Sequence, residues 1–303
     1  MAAHQQALAV AQRSGDAVLE ARAYSGLGDA DYAVGRWHSA ADSFRRCVAL
    51  AEQHGRLRIS EPNRIMLGHC LVYAAEMPEA ERHMQHAAEA IRPLRDSYLE
   101  MFADESLGFE LVIAGRTSEA NALLDRGMAT AERVGARRYL AAMLLHQSEC
   151  VALNGDRAKA RSACDKARDL IDEGSFGFIG PALYGYTAFA SDDPLERDRL
   201  IEEGEARLGG TLAHNLAYFY RIALEARLGE RNRATVDAMC DRYLAFCPEG
   251  APPRLHQLIA ARARALAIGF EDPVAGATAY AAAKSDLAAA GITMADPIRL
   301  PAI

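Results

Sequence analysis

The chain has 303 residues and a mass of 32.8 kDa; half of its residues are hydrophobic and a quarter are charged. Such a chain can bury a core, which excludes a disordered protein. The net charge of −7 argues against a surface that binds nucleic acid throughout. Aromatic residues make up only 7% of the chain and alanine is abundant, so helix is favoured over sheet.

Compartment signals are sparse. No apolar run reaches about 18 residues, so we expect no membrane partner. The first residues lack the charged-then-apolar order of a signal peptide. The six cysteines are too few for a disulfide scaffold and none forms a C-x-x-C pair. These features predict a cytoplasmic protein with reduced cysteines.

The N-terminus has the pattern of half a repeat. Residues 4–15 have the apolar spacing of a second repeat helix and resemble residues 47–55 and 128–135. The first helix of that unit is missing, so we expect the chain to be the C-terminal part of a longer array or multidomain protein. The alternative is an N-terminal capping helix that stands alone.

A period of 40 residues runs through the first half of the chain. Four columns of residues recur: the Leu-Gly pairs 27–28, 67–68 and 107–108; Gly35, Ala75, Gly115 and Gly155; Ala40, Ala80, Ala120 and Ala160; and Phe44, Met84, Leu124 and Cys164. A glycine near a helix end suits a C-cap, where φ is positive. The alanines suit the point where two helices cross most closely. Each unit is therefore predicted to be a helical hairpin that must stack on its neighbours.

These residues resemble the tetratricopeptide repeat (TPR) family. The first unit carries the signature residues Tyr24, Leu27, Gly28, Tyr32, Gly35, Trp37, Ala40 and Phe44. A familiar TPR unit has about 34 residues, so a 40-residue period implies longer helices. The period alone also admits HEAT or armadillo units; the glycine and alanine columns favour TPR. The resemblance implies an all-α, right-handed superhelical solenoid of about seven hairpins plus an N-terminal half-repeat.

The regularity of the repeat changes along the chain. We predict a regular array over residues 1–173, and divergent TPR-like hairpins with a capping helix and a tail over residues 174–303. The glycine-rich residues 174–181 are predicted to form a linker or kink, and residues 247–253 a second irregular joint. The tail, with Pro297 and Pro301, is expected to drape on the last hairpin or fray.

Catalytic and metal signatures are weak, so we expect no enzyme activity and no cofactor. No P-loop, H-E-x-x-H, G-x-S-x-G or EF-hand pattern occurs. His83 and His86, with Glu79 nearby, could present metal ligands on one helix face, but a solvated face is the favoured interpretation. Cys240 and Cys247 are predicted to share one helix, with a redox role as the less favoured option.

The first helices of TPR hairpins line a concave groove, which the resemblance makes the expected binding site. The candidate groove residues are Arg22, Ser25, Asp29, Tyr32, His69, Tyr73, Phe102, Glu105, Phe109, Tyr186 and Phe189. Aromatic rings mixed with a few charges suit a peptide or extended segment. The alternative is that the rings pack only against neighbouring hairpins.

The long, alanine-rich units resemble the C-terminal arrays of bacterial multidomain signalling proteins. These include class III nucleotide cyclases with an ATPase module and ATP-dependent LuxR- or MalT-like transcription regulators. The resemblance implies a non-catalytic interaction and regulatory module. Its partners would be a protein or peptide in the groove and upstream ATPase or cyclase domains of the same parent chain. A self-standing adaptor and an enzyme on a helical-repeat scaffold are the alternatives.

The alanine column gives a mechanical prediction. Ala40→Leu or Ala80→Leu is expected to overpack the helix crossing and to lower the free energy of unfolding by about 1–3 kcal/mol. Chemical denaturation of each variant measures the change. Unfolding curves that match the wild type for both variants would show that the repeat register is wrong.

Overall fold

A computed structural model describes residues 1–294 of the chain, and within that range all regular structure is helical. The elements are α1 (Ala2–Ser14), α2 (Ala17–Ala33), α3 (Trp37–Gln53), α4 (Leu57–Tyr73), α5 (Met77–Ile91), a 3-10 turn (Arg92–Leu94), α6 (Ser97–Ala114), α7 (Thr117–Val134), α8 (Arg137–Leu153), α9 (Arg157–Leu170), α10 (Glu173–Ala190), α11 (Pro194–Glu205), α12 (Ala213–Leu228), α13 (Arg233–Leu244), α14 (Arg254–Ile268) and α15 (Pro273–Ala289). None of these helices is long and apolar enough to cross a membrane. The predicted tail with Pro297 and Pro301 lies outside the described residues.

The helices form a solenoid, as the repeat predicts. Helix α1 packs on α2, and the following helices form seven hairpins, from α2–α3 to α14–α15. The even-numbered helices α2 to α14 also contact one another in succession and form the inner layer. The inner helices are buried over most of their length, whereas an outer helix such as α3 buries a single stripe. The all-α repeat fold of TPR type is therefore confirmed.

Each 40-residue unit contains two helices, and both helices are followed by a residue with left-handed backbone. Left-handed backbone, with φ between 49° and 91°, recurs every 20 residues. The residues concerned are Gly15, Gly35, Gly55, Ala75, Arg95, Gly115, Gly135 and Gly155. Glycine adopts this conformation without steric cost, whereas alanine and arginine do not. The glycine column thus marks helix ends, and Ala75 and Arg95 are its strained members.

The other columns mark contacts inside each hairpin. A Cβ atom on Gly28 would lie 2.5 Å from the Phe44 ring, so the glycine lets that ring sit against the first helix. The same holds for Gly68 beneath Met84 and for Gly108 beneath Leu124. The four alanines of the 40-residue column are all fully buried. Each column is therefore a packing requirement of the hairpin.

Residues 174–181 are helical, so of the two predicted alternatives, a linker or a kink, the linker is wrong. They form the first half of α10, which begins with a capping box between Asp172 and Ser175. Pro181 lies inside the helix and has no N–H for the carbonyl four residues earlier, that of Gly177. That carbonyl instead accepts a hydrogen bond from Asn215 Nδ2 at 2.9 Å, on helix α12. Gly177 and Pro181 therefore help helix α12 to dock on helix α10.

The predicted joint at residues 247–253 is confirmed, because α13 ends at Leu244 and α14 begins at Arg254. The placement of Cys240 and Cys247 on one helix is wrong. Cys240 is buried in α13, whereas Cys247 is exposed beyond its end. Pro248 disfavours helical backbone at the residue before it, which explains why the helix does not reach Cys247.

This joint returns to the first hairpin. The Phe246 ring packs on Gly35, where a Cβ atom would lie 2.3 Å from it. The Glu249 carboxylate accepts hydrogen bonds from the backbone N–H groups of His38 at 3.0 Å and Ser39 at 2.9 Å. Helix α3 has no side-chain cap of its own, so Glu249 acts as its N-terminal cap. Partial burial raises the pKa of Glu249, but these hydrogen bonds outweigh it and lower the pKa.

The last hairpin also contacts the first three units. Helix α14 packs on α4, where the His256 ring lies 6.4 Å from that of Tyr73. After α15, Thr293 donates its backbone N–H to the carbonyl of Ala114 at the end of α6, at 2.9 Å. The solenoid therefore closes on itself through contacts between its C-terminal hairpins and its first three units.

The glycine column yields a matched pair of variants. Ala75→Gly is expected to raise the free energy of unfolding by about 0.5–1 kcal/mol, because it relieves left-handed alanine. Gly155→Ala, at the equivalent turn of another unit and with open space around it, is expected to lower it by about 1 kcal/mol. Urea denaturation of both proteins measures the effects. Changes of the same sign would contradict the shared conformation of the column.

Candidate functional site

A cavity of about 270 Å³ is left on the concave face between the inner helices. Its walls come from six of the seven hairpins, through α2, α4, α6, α8, α10 and α12. The lining residues are Asp29, Tyr32, Ala33, Met66, His69, Phe102, Glu105, Tyr139, Ala142, Phe178, Ile179, Leu212, His214 and Tyr218. Pockets that bind small molecules are concave, largely apolar and supplied with a few polar groups, which describes this cavity.

Six rings in the wall form a closed circuit, which we call the aromatic belt. One ring comes from each of six of the seven inner helices, α2 to α12: Tyr32, His69, Phe102, Tyr139, Phe178 and His214. Successive centroids along this order are 6.3, 6.5, 6.0, 5.5 and 5.4 Å apart, and His214 returns to Tyr32 at 5.9 Å. These spacings are those of interacting aromatic pairs. The belt therefore joins hairpins that are adjacent in sequence and closes between the first and the sixth.

Helix α12 is held at the closing point by polar contacts to α10. His214 Nε2 donates to the Phe178 carbonyl at 2.5 Å, and Asn215 donates to the Gly177 carbonyl freed by Pro181. Both carbonyls lie in the first half of α10, so the start of α12 is fixed against it. This fixes the His214 ring between Phe178 and Tyr32.

Glu105 supplies a buried carboxylate to the cavity wall. Ser106 donates its hydroxyl proton to Glu105 Oε2 at 3.3 Å, and His146 Nε2 lies 3.5 Å from Oε1. Burial raises the pKa of Glu105, but the hydrogen bond and charge of His146, with His69 and Ser106, lower it overall. The shift favours the carboxylate form of Glu105.

The two belt histidines are neutral at neutral pH. Burial lowers the pKa of His69 to about 4, and it also lowers the pKa of His214. Because the Ser106 proton goes to Glu105, His69 Nε2 donates to the Ser106 oxygen at 3.0 Å. Nδ1 of His69 is then an acceptor, and so is Nδ1 of His214, whose Nε2 donates to a carbonyl.

The neighbouring Ser106, His69 and Glu105 do not form a nucleophilic triad. In such a triad the imidazole lies between the hydroxyl and the acid. Here the hydroxyl lies between the imidazole and the acid, and its proton points to the acid. Ser106 is also fully buried and does not line the cavity. The arrangement orients Glu105 and His69 rather than activating a nucleophile.

The cavity lining carries negative charge only. Asp29 and Glu105 are its charged residues, and no lysine or arginine is among the lining residues. Asp29 is exposed at the margin of the cavity. Its pKa is raised overall, because desolvation outweighs the opposing charge of the nearby His4. Outside the lining, the Arg138 guanidinium lies 5.0 Å from the centroid of the Tyr139 ring and 5.3 Å from that of Phe178.

Buried ion pairs fix the inner helices behind the cavity. Arg221 on α12 holds Glu149 on α8, with Nη2 at 2.6 Å from Oε2. Arg262 on α14 holds Glu225 on α12, with Nη1 at 2.5 Å from Oε1. Such pairs tie a helix to one partner, because removing either member leaves a buried charge uncompensated. They specify how the C-terminal hairpins dock.

The predicted groove residues separate into two groups. Asp29, Tyr32, His69, Phe102 and Glu105 line the cavity. Outside the lining lie exposed Arg22, half-buried Ser25, and the buried Tyr73, Phe109, Tyr186 and Phe189. These buried rings pack between helices: Phe109 lies 4.8 Å from Tyr218, and Tyr73 stacks on Trp37 at 3.7 Å.

The sequence prediction omitted the second half of the lining. Tyr139, Phe178 and His214 complete the belt, and Met66 and Tyr218 add to the wall. Their sequence signal was a ring near the start of each of α8, α10 and α12. Successive belt residues are fewer than 40 residues apart in the sequence. A search for rings that recur at the same position of each 40-residue unit therefore does not find them.

The histidine pair on α5 lies in a different environment. His83 Nε2 is 3.6 Å from Glu79 Oε1, whereas His86 lies near the carboxylates of Glu52 and Glu61. Arg64 pairs with both of those carboxylates. The Arg64 guanidinium therefore offsets part of their charge, and the preference for a solvated helix face over a metal site at His83 and His86 stays a prediction.

Two clefts of larger volume differ from the belt cavity in the number of hairpins that line them. One of about 370 Å³ lies among α9, α10 and α11, and one of about 530 Å³ among α7, α8 and α9. Each is lined by three consecutive helices only. The first is crossed by the Arg161–Glu196 ion pair at 3.0 Å. Only the belt cavity, among these three, contacts six hairpins.

Comparison with known proteins supports the fold. No family model matches the chain, and no curated protein matches it. Among solved structures, a Rap protein complexed with competence and sporulation factor is similar, with a TM-score of 0.63 and 14% sequence identity. The match covers 90% of this chain and 77% of that chain. At this identity the likeness shows a shared helical solenoid.

Buried histidines predict acid sensitivity. Burial lowers the pKa of His256 to about 3, and neither ring nitrogen has a hydrogen-bond partner within the part of the chain that the structure describes. In the unfolded chain the imidazole of this residue is protonated below about pH 6.5, whereas in the folded chain it stays neutral. The free energy of unfolding therefore falls as the pH decreases below about 6.5. His256→Phe keeps the stack on Tyr243 and is expected to remove about 2 kcal/mol of the loss between pH 7 and 5. Thermal melting at the two pH values measures this.

The control is His54→Phe, which replaces an exposed histidine on the outer face. It should retain the wild-type difference in melting temperature between pH 7 and 5. If His256→Phe retains that difference as well, the buried imidazole is not a source of the acid sensitivity.

Proposed function

We propose that the chain is a non-catalytic regulatory module that takes up a protein or peptide segment on its concave face, with one group of the ligand entering the belt cavity. The observation that carries the proposal is the origin of the cavity wall. A ligand in the cavity contacts six hairpins at once, so its binding energy depends on how the hairpins are arranged.

This geometry couples binding to the shape of the solenoid. A ligand shifts an equilibrium between shapes only by its difference in affinity for them. The belt closes through the contact of Tyr32 with His214, and an opened solenoid would separate those rings. A ligand that contacts both sides of the closure therefore favours the closed shape, and a partner that recognises this shape would sense the ligand.

The likeness to a solved protein complex supports a ligand-binding role. The Rap protein of that structure is complexed with competence and sporulation factor. The present chain has the same kind of solenoid over 90% of its length. We extend to it the general role, the capture of a regulatory ligand by a helical solenoid.

The wider context follows the sequence resemblance. The long alanine-rich units resemble the C-terminal arrays of bacterial cyclases with an ATPase module and of LuxR- or MalT-like regulators. In this proposal the module acts in the bacterial cytoplasm as the sensor or scaffold of a larger signalling protein. The shape of the solenoid would be transmitted to ATPase or cyclase domains of the same parent chain.

Filling the cavity tests the proposal. Ala33, half-buried, lies in the cavity wall near the end of α2. Ala33→Trp is expected to occupy the space and to weaken ligand capture at least tenfold while the fold is retained. A random peptide library displayed on phage is selected against the wild-type chain, and the enriched peptides are titrated into both proteins by calorimetry.

The matched control is Val34→Trp, at the next residue, which is 53% exposed and outside the lining. It should bind the selected peptides like the wild type. Failure to enrich any peptide, or equal binding by Ala33→Trp and Val34→Trp, would refute the proposed site. Thermal melting of both variants verifies that they are folded.

A further inference from the structure

We infer that the aromatic belt selects an organic cation: an ammonium or guanidinium group carried on an apolar stem. This inference rests on the proposed function and specifies its ligand chemistry. It follows from four properties of the belt cavity: its rings, its charge, its unpaired acceptors and its size.

Six rings surround the space that a cation would enter. The face of an aromatic ring carries negative electrostatic potential and attracts a cation within about 6 Å of its centroid. The belt closes into a circuit of rings spaced 5.4 to 6.5 Å apart. A group that enters the circuit is surrounded by rings from six helices, and the apolar wall removes water from it, which strengthens the attraction.

The protein itself places a cation on two of these rings. The Arg138 guanidinium lies over Tyr139 at 5.0 Å and over Phe178 at 5.3 Å, and it donates to the Tyr98 hydroxyl at 3.1 Å. Arg138 is exposed and does not line the cavity. The two rings therefore already take part in cation–π contacts, with a guanidinium that lies outside the cavity lining.

The charge of the lining has the matching sign. The pKa shift of Glu105 favours its carboxylate form, Asp29 lies at the margin, and the lining contains no arginine or lysine. His69 and His214 add no positive charge at neutral pH because burial lowers their pKa values. Arg138 contacts two belt rings from outside the lining, and the buried Arg221 is neutralised by Glu149. An anionic ligand would meet a buried carboxylate without a counter-charge.

The hydrogen-bonding capacity of the wall points the same way. His69 and His214 each line the cavity, each is at least nine-tenths buried, and each has an Nδ1 atom without a partner among residues 1–294. Both Nδ1 atoms are acceptors in the tautomers that their Nε2 contacts require. Ammonium and guanidinium groups are donors only, so such a ligand is compatible with these acceptors, although both nitrogens are covered by neighbouring atoms in the structure.

The size of the cavity limits what enters. A volume of about 270 Å³ is close to the lower bound of about 300 Å³ for pockets that hold whole small molecules. It suits one long basic side chain or one small amine. The shared chemistry is thus a cationic head on an apolar stem, supplied either by a peptide side chain or by a free small molecule.

Calorimetry with three defined probes tests the inference. The full chain is titrated at pH 7 with acetyl-Gly-Arg-Gly-amide, with the same peptide carrying neutral citrulline in place of arginine, and with n-butylguanidinium. The arginine peptide is expected to bind at least tenfold more tightly than the citrulline peptide. Binding of n-butylguanidinium equal to that of the peptide indicates a free small molecule, and weaker binding indicates a peptide side chain.

Variants on α6 localise the effect. Glu105→Gln is expected to weaken binding of the arginine peptide by about 10- to 100-fold, the value of a hydrogen bond to a charged group. Glu110→Gln is the matched control: Glu110 is buried on the same helix, outside the lining, and burial with the charge of Glu81 raises its pKa to about 8. It is largely protonated at pH 7, so the amide should bind like the wild type.

A second variant covers a failure of Glu105→Gln to fold. Phe102→Leu keeps an apolar side chain at a half-buried position and removes one ring of the belt. It should reduce the preference for arginine over citrulline by about two- to thirtyfold. Equal binding of the two peptides by the wild type, or no binding of either cationic probe, overturns the inference. Library peptides that bind the belt cavity but contain no basic residue would overturn it and leave the proposed function standing.

Discussion

The docking of helix α12 against helix α2 is the contact on which the concave site depends. Without it the inner helices form an open arc, and the rings they carry lie along a groove. With it the arc closes, the His214 ring meets Tyr32 at 5.9 Å, and six hairpins share one cavity. The other long-range contacts act in the same direction, because Phe246, Glu249 and Thr293 each bring a C-terminal segment onto a turn of the first three units.

Much of the fold could be predicted from sequence because the repeat obeys local rules. Left-handed helix ends favour glycine and close crossings favour alanine, so the columns of Gly35 and Ala40 mark the units in which they recur. The same reasoning was wrong for residues 174–181. Glycine and proline usually interrupt helices, but here Pro181 frees a carbonyl for Asn215 and the helix continues. A tertiary partner replaces the local hydrogen bond, and no local rule anticipates that partner.

The site was predictable only in part, for a geometric reason. Belt positions shift from the end of α2, at Tyr32, to the start of α12, at His214. This shift spans about 14 residues of helix, or about 20 Å of axial advance over one turn of the superhelix. Residues at constant register, such as Phe109 and Tyr186, therefore lie at other levels and are covered by the helices that close the solenoid. The pitch is a property of all the hairpins together and is absent from any single unit.

Each of the helices α2 to α12 of the inner layer contributes one ring to the belt, and this affects how the ligand preference of such a site can change. Each of the six positions lies in its own hairpin, so a substitution in one unit alters one sector of the wall and leaves the packing columns of the other units unchanged. Each hairpin therefore contributes a separate part of the recognition surface. A lineage could change what the belt accepts ring by ring, while the glycine and alanine framework that builds the solenoid stays as it is.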